Sequence, residues 1–90
     1  MRKSFKIIIH RKAAKELNGL TANMRNRIIE ALREKEANPF AGDIKPVKGL
    51  RGMFRRRVGD YRIIFTINFE ESVIVILRIG HRERVYEKDV

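Results

Sequence analysis

Two runs of strand-forming residues, Phe54–Val58 and Tyr61–Ile67, are separated only by Gly59 and Asp60. A two-residue connection between such runs makes an antiparallel hairpin, and glycine at its first position takes φ > 0 without steric cost, as a type II′ turn requires. A turn of fixed length also fixes the pairing. Val58 should face Tyr61, Arg57 should face Arg62, Arg56 should face Ile63, and Arg55 should face Ile64. Because side chains alternate along a strand, Arg55, Arg57 and Arg62 fall on one face of the pair. Phe54, Val58, Tyr61, Ile63 and Phe65 fall on the other, with Arg56 out of place among them. Like charges directly opposite each other destabilise a sheet. The Arg57–Arg62 rung is therefore explained best by an anion that sits between the two guanidinium groups, and otherwise by a plainly solvated charged face.

The remaining elements follow from periodicity. Ser4–His10 alternates as a strand. Arg11–Asn18 reads as a short helix with Ala13, Ala14 and Leu17 on one side, closed by Gly19. Thr21 is placed to cap a second helix that carries Met24, Ile28, Ala31 and Leu32 inward. Arg25, Arg27, Arg33 and Lys35 are expected mostly outward. Asn38 precedes Pro39, which ends this helix near Ala37. The stretch from Pro39 to Gly52 reads as a loop with a short extended piece at Ile44–Lys48. Val73–Ile79 is apolar on both faces except at Arg78, as in a central strand, and Gly80 is expected to break it. The order is β-α-α-β-β-β, with no internal repeat and no linker. It predicts one α+β domain over residues 1–90, with a helix hairpin packed on one face of a small, mainly antiparallel sheet.

Charge narrows the partners. The 90 residues carry 21 Lys and Arg against 11 Asp and Glu, a net charge of +10. A balance so basic points to nucleic acid, an anionic surface or an acidic protein. The chain has no cysteine, which excludes disulfides and thiolate metal sites. Two histidines, His10 and His81, are too few for a histidine-rich metal site, so no metal and no cofactor is expected. No stretch approaches the ~18 apolar residues of a membrane span, and Phe5–Ile9 is too short for a signal-peptide core. The expectation is a cytoplasmic protein without membrane contact.

The helices should cover the apolar sheet face and leave Arg55, Arg57 and Arg62 on the other. Arg82, Arg84 and Tyr86 arrive from the end of the chain to border that surface. Paired guanidinium donors match phosphate oxygens, and a tyrosine ring can stack on an unpaired base. This chemistry suits metal-free cleavage of RNA. A ribose 2′-hydroxyl attacks the adjacent phosphorus, arginines stabilise the charge on the nonbridging oxygens, and an acid protonates the departing 5′-oxygen.

The run Leu50-Arg51-Gly52 … Arg55-Arg56-Arg57-Val58-Gly59-Asp60-Tyr61-Arg62-Ile63-Ile64-Phe65 resembles the RelE/ParE toxin superfamily. The segment Gly80-His81-Arg82-Glu83-Arg84-Val85-Tyr86 is similar to its RelE branch. The resemblance covers nearly the whole chain and implies the RelE-like fold. It also implies ribosome-dependent cleavage of messenger RNA in the decoding site, and neutralisation by a cognate antitoxin of acidic or amphipathic character in a hetero-oligomer. Carried over by position, Arg62 resembles the arginine that steadies the scissile phosphate, Arg82 a second arginine on the leaving-group side, and Tyr86 the tyrosine that orients the nucleotide. Arg55, Arg57, Arg84, Lys48 and Arg51 are the candidate RNA- and phosphate-binding residues. Arg55 and Arg57 stand where the founding RelE toxin has lysines credited with activating the attack, and arginine is a poor base. The base then falls to His81, Glu83, Tyr86 or the ribosomal RNA. Two other functions remain compatible with the fold: a ParE-like toxin that inhibits DNA gyrase by binding, and an RNA- or ribosome-binding module without catalysis.

Overall fold

A computed structural model describes residues 4–81. Seven elements follow in order: β1 (Lys6–Ile9), α1 (Arg11–Asn18), α2 (Ala22–Ala37), β2 (Ile44–Pro46), β3 (Met53–Val58), β4 (Tyr61–Asn68) and β5 (Val73–His81). The sheet runs β1-β5-β4-β3-β2, with β1 parallel to β5 and every other pair antiparallel. This is the expected α+β arrangement with one strand more, since the extended piece after α2 pairs with β3 as β2. The hairpin register is the one dictated by the turn: Val58 faces Tyr61, Arg57 faces Arg62, Arg56 faces Ile63 and Arg55 faces Ile64. Gly59 has φ 60°, the left-handed value that its turn position requires.

Local signals place both helices. The His10 Nδ1 accepts the Lys12 N–H at 3.2 Å and caps α1, and the Thr21 hydroxyl accepts the Met24 N–H at 3.3 Å and caps α2. Ala13 and Leu17 of α1 and Ile28, Ala31 and Leu32 of α2 bury against Val58, Ile63, Phe65, Ile74, Ile76 and Ile79 of the sheet. Beyond Ile9, β1 has ended and β5 continues alone at that edge. There the Glu16 carboxylate of α1 accepts the Ile79 N–H at 2.8 Å and the Arg78 Nε and Nη2 donors at 3.1 and 3.0 Å. One carboxylate thus takes the place of the missing strand and pairs Arg78.

Three expectations need correction. Lys35 is not outward but fully buried, at 0 % exposure. It lies seven residues after Ile28, on the stripe that α2 turns to the core, and the helix period overrides the charge. Its Nζ donates to the Pro39 carbonyl at 3.1 Å and sits 4.1 Å from the centre of the Phe65 ring. Second, Gly80 does not break β5: it pairs with Arg62, and His81 pairs with Tyr61. Third, the sheet face away from the helices is not simply open. Val47 and Ile64 are buried on it, with Leu50, Met53 and Leu77 packed around them. Arg56, the residue out of place in the sequence pattern, does point to the helices. Its Nη1 donates to Glu34 at 2.7 Å and to the Ala31 carbonyl at 3.3 Å.

Burial lowers the Lys35 pKa from 10.5 to about 7, with the nearby Arg56 charge acting in the same direction and Glu34 opposing. Between those values the unfolded chain holds a proton that the folded chain has released. This side chain therefore costs most below pH 7, and its cost falls as the pH rises towards 10.5. The expected outcome for Lys35→Met is a higher melting temperature than the parent at pH 6.5 and a gap that narrows steadily by pH 9.5. A gap independent of pH in thermal denaturation would refute the assignment.

Candidate phosphate-binding site

The site begins at the rung that the turn creates. Arg57 and Arg62 face each other across β3 and β4, and Arg55 lies two rungs further, opposite Ile64, on the same face. Lys45 of β2 pairs with Arg55 and so stands on the same face, a basic neighbour that the sequence pattern had not singled out. The signal was present: once Ile44–Pro46 is taken as a strand beside β3, alternation puts Lys45 with Arg55. On the other side of β4, Gly80 brings no side chain to the rung opposite Arg62.

The segment between β2 and β3 forms the wall of the site. The Val47 N–H donates to the Met53 carbonyl at 2.9 Å, the Leu50 N–H to the Val47 carbonyl at 3.1 Å, and the Met53 N–H to the Leu50 carbonyl at 3.3 Å. Gly49 and Gly52 have φ values of 81° and 80°. A bond from residue i+3 back to residue i, with positive φ at the third residue, is the signature of a type II turn, and here two such turns follow each other. Their sequence repeats apolar-basic-glycine: Val47-Lys48-Gly49, then Leu50-Arg51-Gly52, then Met53. The apolar corners Val47, Leu50 and Met53 pack with Ile64 and Leu77. Lys48 and Arg51, at the second positions of the turns, are exposed.

A cavity of about 340 Å³ lies under this tongue, lined by Pro46, Val47, Lys48, Arg55 and Arg62. A neighbouring cavity of about 410 Å³ is lined by Arg51, Met53 and the glycines of the two turns, among others. Within the first cavity Arg62 stands out. Its Nε and Nη1 are buried and meet no hydrogen-bond acceptor among the described residues. An unpaired buried donor typically costs ~1–3 kcal/mol, and more when it is charged. Arg78 and Arg56 are held by carboxylates, although Arg56 Nε is also unpaired; for Arg62 no carboxylate partner is found among the described residues.

The predicted site residues thus separate into groups. Arg55, Arg62 and Lys48 share one cavity. Arg57 joins them by register and is exposed, and Arg51 lies at the adjoining cavity. His81 does not join them. It pairs with Tyr61, whose ring packs with the helix-side core, and the two rings meet edge to face at 5.7 Å. Arg82, Glu83, Arg84 and Tyr86 lie outside the described residues.

A cavity lined by guanidinium and ammonium groups, with two Arg62 donors unpaired among the described residues, makes a candidate anion site on an α+β scaffold. Comparison with known proteins places it further. Residues 7–86 match the family model described as the ParE toxin of the type II toxin–antitoxin system, parDE. The toxin RelE3 of Methanocaldococcus jannaschii is 30 % identical over 86 residues, which span 91 % of this chain and 96 % of that protein. The RelE–RelB complex of Pyrococcus horikoshii contains a chain that is 29 % identical, with a TM-score of 0.79 over 90 % of this chain and 98 % of its own length. The RelBE2 toxin–antitoxin complex of Mycobacterium tuberculosis gives 27 % identity and a TM-score of 0.77, covering 88 % and 99 %. The chain belongs to the RelE/ParE family: it is a RelE-like toxin of a type II toxin–antitoxin system.

Arg62→Met keeps the bulk of the side-chain stem and removes the orphaned donors. The expected outcome is an unchanged or higher melting temperature, together with weaker binding to single-stranded RNA. The slope of log affinity against log salt should shrink by about 0.7 for one lost phosphate contact. A marked drop in melting temperature would show that Arg62 serves the fold rather than a ligand.

Proposed function

We propose that this toxin is a ribosome-dependent, metal-independent endoribonuclease that cuts messenger RNA in the decoding site and so stops translation. The observation that carries the reading is the Arg62 guanidinium, with Nε and Nη1 buried and unpaired among the described residues, at a cavity that Arg55 and Lys48 also line. A phosphodiester seated there gives those donors the acceptors they lack. The 2′-hydroxyl attacks the phosphorus, the O2′–P bond forms and the P–O5′ bond breaks. The products are a 2′,3′-cyclic phosphate and a 5′-hydroxyl. Arg62, Arg55 and Arg57 stabilise the negative charge that builds on the nonbridging oxygens, where fixed donors contribute most. The resemblance to RelE toxins gives Arg82 a second phosphate contact and Tyr86 the stacking of the substrate base, with Arg84 and Arg51 along the backbone. His81, beside Tyr61, is left without a catalytic part.

The cognate partner is an antitoxin with an acidic or amphipathic segment, complementary to a chain of net charge +10. The relatives solved as RelE–RelB and RelBE2 complexes support such a hetero-oligomer. A second reading has its own support, since the matching family model carries the ParE name. In that reading the basic surface inhibits DNA gyrase by binding and cuts nothing.

The deciding experiment is cleavage of a translated message by the purified toxin, mapped by primer extension with and without ribosomes, beside Arg62→Ala and a gyrase supercoiling assay. The expected result is ribosome-dependent cuts within codons, reduced at least ~100-fold by Arg62→Ala, and normal supercoiling. Intact message with inhibited supercoiling would replace the first reading with the second.

A further inference from the structure

The cleavage reading leaves one chemical need unmet within the cavity. The departing 5′-oxygen is an alkoxide and needs a proton as the P–O5′ bond breaks. Of the residues that line the cavity, Pro46 and Val47 have no proton to give. Arg55 and Arg62 hold theirs, because a guanidinium hardly deprotonates in a protein. Among the described residues that line the cavity, Lys48 is the one side chain able to give up a proton to a leaving oxygen. Its backbone is fixed on both sides. Val47 before it is buried against Ile64, and Gly49 after it adopts the positive φ of the turn that returns to Val47 through the Leu50 N–H. The stem of Lys48 therefore starts from a fixed corner of the cavity that Arg55 and Arg62 also line. The carboxylates nearest to arginines elsewhere in the sheet are already committed, Glu16 to Arg78 and Ile79 and Glu34 to Arg56, and His81 stands by Tyr61.

We infer that Lys48 is the general acid of the cleavage step, a catalytic residue and not only a phosphate contact. This rests on the endoribonuclease reading above. As the O2′–P bond forms, the Lys48 ammonium passes a proton to O5′, and the 5′-hydroxyl product leaves neutral. The 2′-hydroxyl proton goes to solvent, from which the amine is reprotonated before the next turnover. The tongue between β2 and β3 would then be a catalytic element whose repeated glycines set the position of the acid.

The test uses two messages on ribosomes that differ at the mapped scissile linkage. One has the normal 5′-oxygen; the other has a bridging 5′-sulfur, whose thiolate leaves without needing a proton. Wild type, Lys48→Arg and Arg62→Ala are compared in single-turnover cleavage. Lys48→Arg keeps the charge but hardly transfers a proton. The expected result is a loss of about 100-fold or more on the oxygen substrate and recovery close to the wild-type rate on the sulfur substrate. Arg62→Ala, which removes a phosphate contact, should be impaired on both. Equal impairment of Lys48→Arg on both substrates would reduce Lys48 to a phosphate contact and overturn the proposal. So would an unimpaired Lys48→Arg, which would put the proton donor elsewhere while the cleavage reading stands. Wild type that leaves both messages intact would overturn the cleavage reading, and this proposal with it.

Discussion

Gly59, at φ 60°, holds β3 and β4 in a register that sends four consecutive charged or apolar choices to opposite sides of the sheet. A one-residue slip would exchange the faces, burying Arg55 and Arg57 under the helices and exposing Val58 and Phe54. The turn therefore sorts the arginines. Arg56 is sent to α2, where Glu34 and a helix carbonyl receive it. Arg55, Arg57 and Arg62 are sent to the other face, where no carboxylate of the described residues meets the Arg62 donors. The same short connection that makes the core possible also creates a rung of like charge. The protein carries that electrostatic cost next to a cavity, as functional surfaces do when their missing partner is a ligand.

The tongue between β2 and β3 completes the site in a different way. Its apolar corners bury Ile64 from the side opposite the helices, giving the middle of β4 a second, small core. Its basic residues are the turn positions left over from that packing. The packing residues and the basic residues of this segment are thus sequence neighbours that recur every three positions. Lys35 shows the opposite arrangement, a charge kept inside, satisfied by a carbonyl and an aromatic ring and paired with nothing acidic at hydrogen-bond distance. That carbonyl belongs to Pro39, so the buried amine ties the end of α2 to the turn that leads into β2.

Much of this was legible in the sequence, for physical reasons that differ from element to element. The hairpin register was legible because a two-residue turn permits no alternatives. The start of α2 was legible because Thr21 leaves a local mark, whereas the His10 cap of α1 emerged only in the structure. Lys35 was misread because charge type outweighed helix period in assigning its side. The strand β5 was cut short at Gly80 because a glycine was read as a stop, although a cross-strand partner, Arg62, holds it in the ladder. The double turn was passed over as loop because its period of three belongs to neither helix nor strand. In the site, Arg55 and Arg62 were legible from alternation. Lys45 was not, since it needs β2 to be placed beside β3. The separation of His81 from the arginines needed β5 to reach one residue past Gly80.

The Glu16 carboxylate has a consequence for how this sheet can grow. A strand edge recruits further strands through its free N–H and C=O groups. On β5, past the end of β1, the Ile79 N–H is occupied by a side chain from the protein's own helix. An incoming strand would have to displace a carboxylate that also holds a guanidinium, and so would expose two opposite charges to gain one backbone bond. At the other edge, β2 is three residues long and ends in Pro46, which has no N–H to offer. Two stretches of sheet edge, β5 beyond Ile9 and the short β2, thus offer few free N–H groups to an incoming strand.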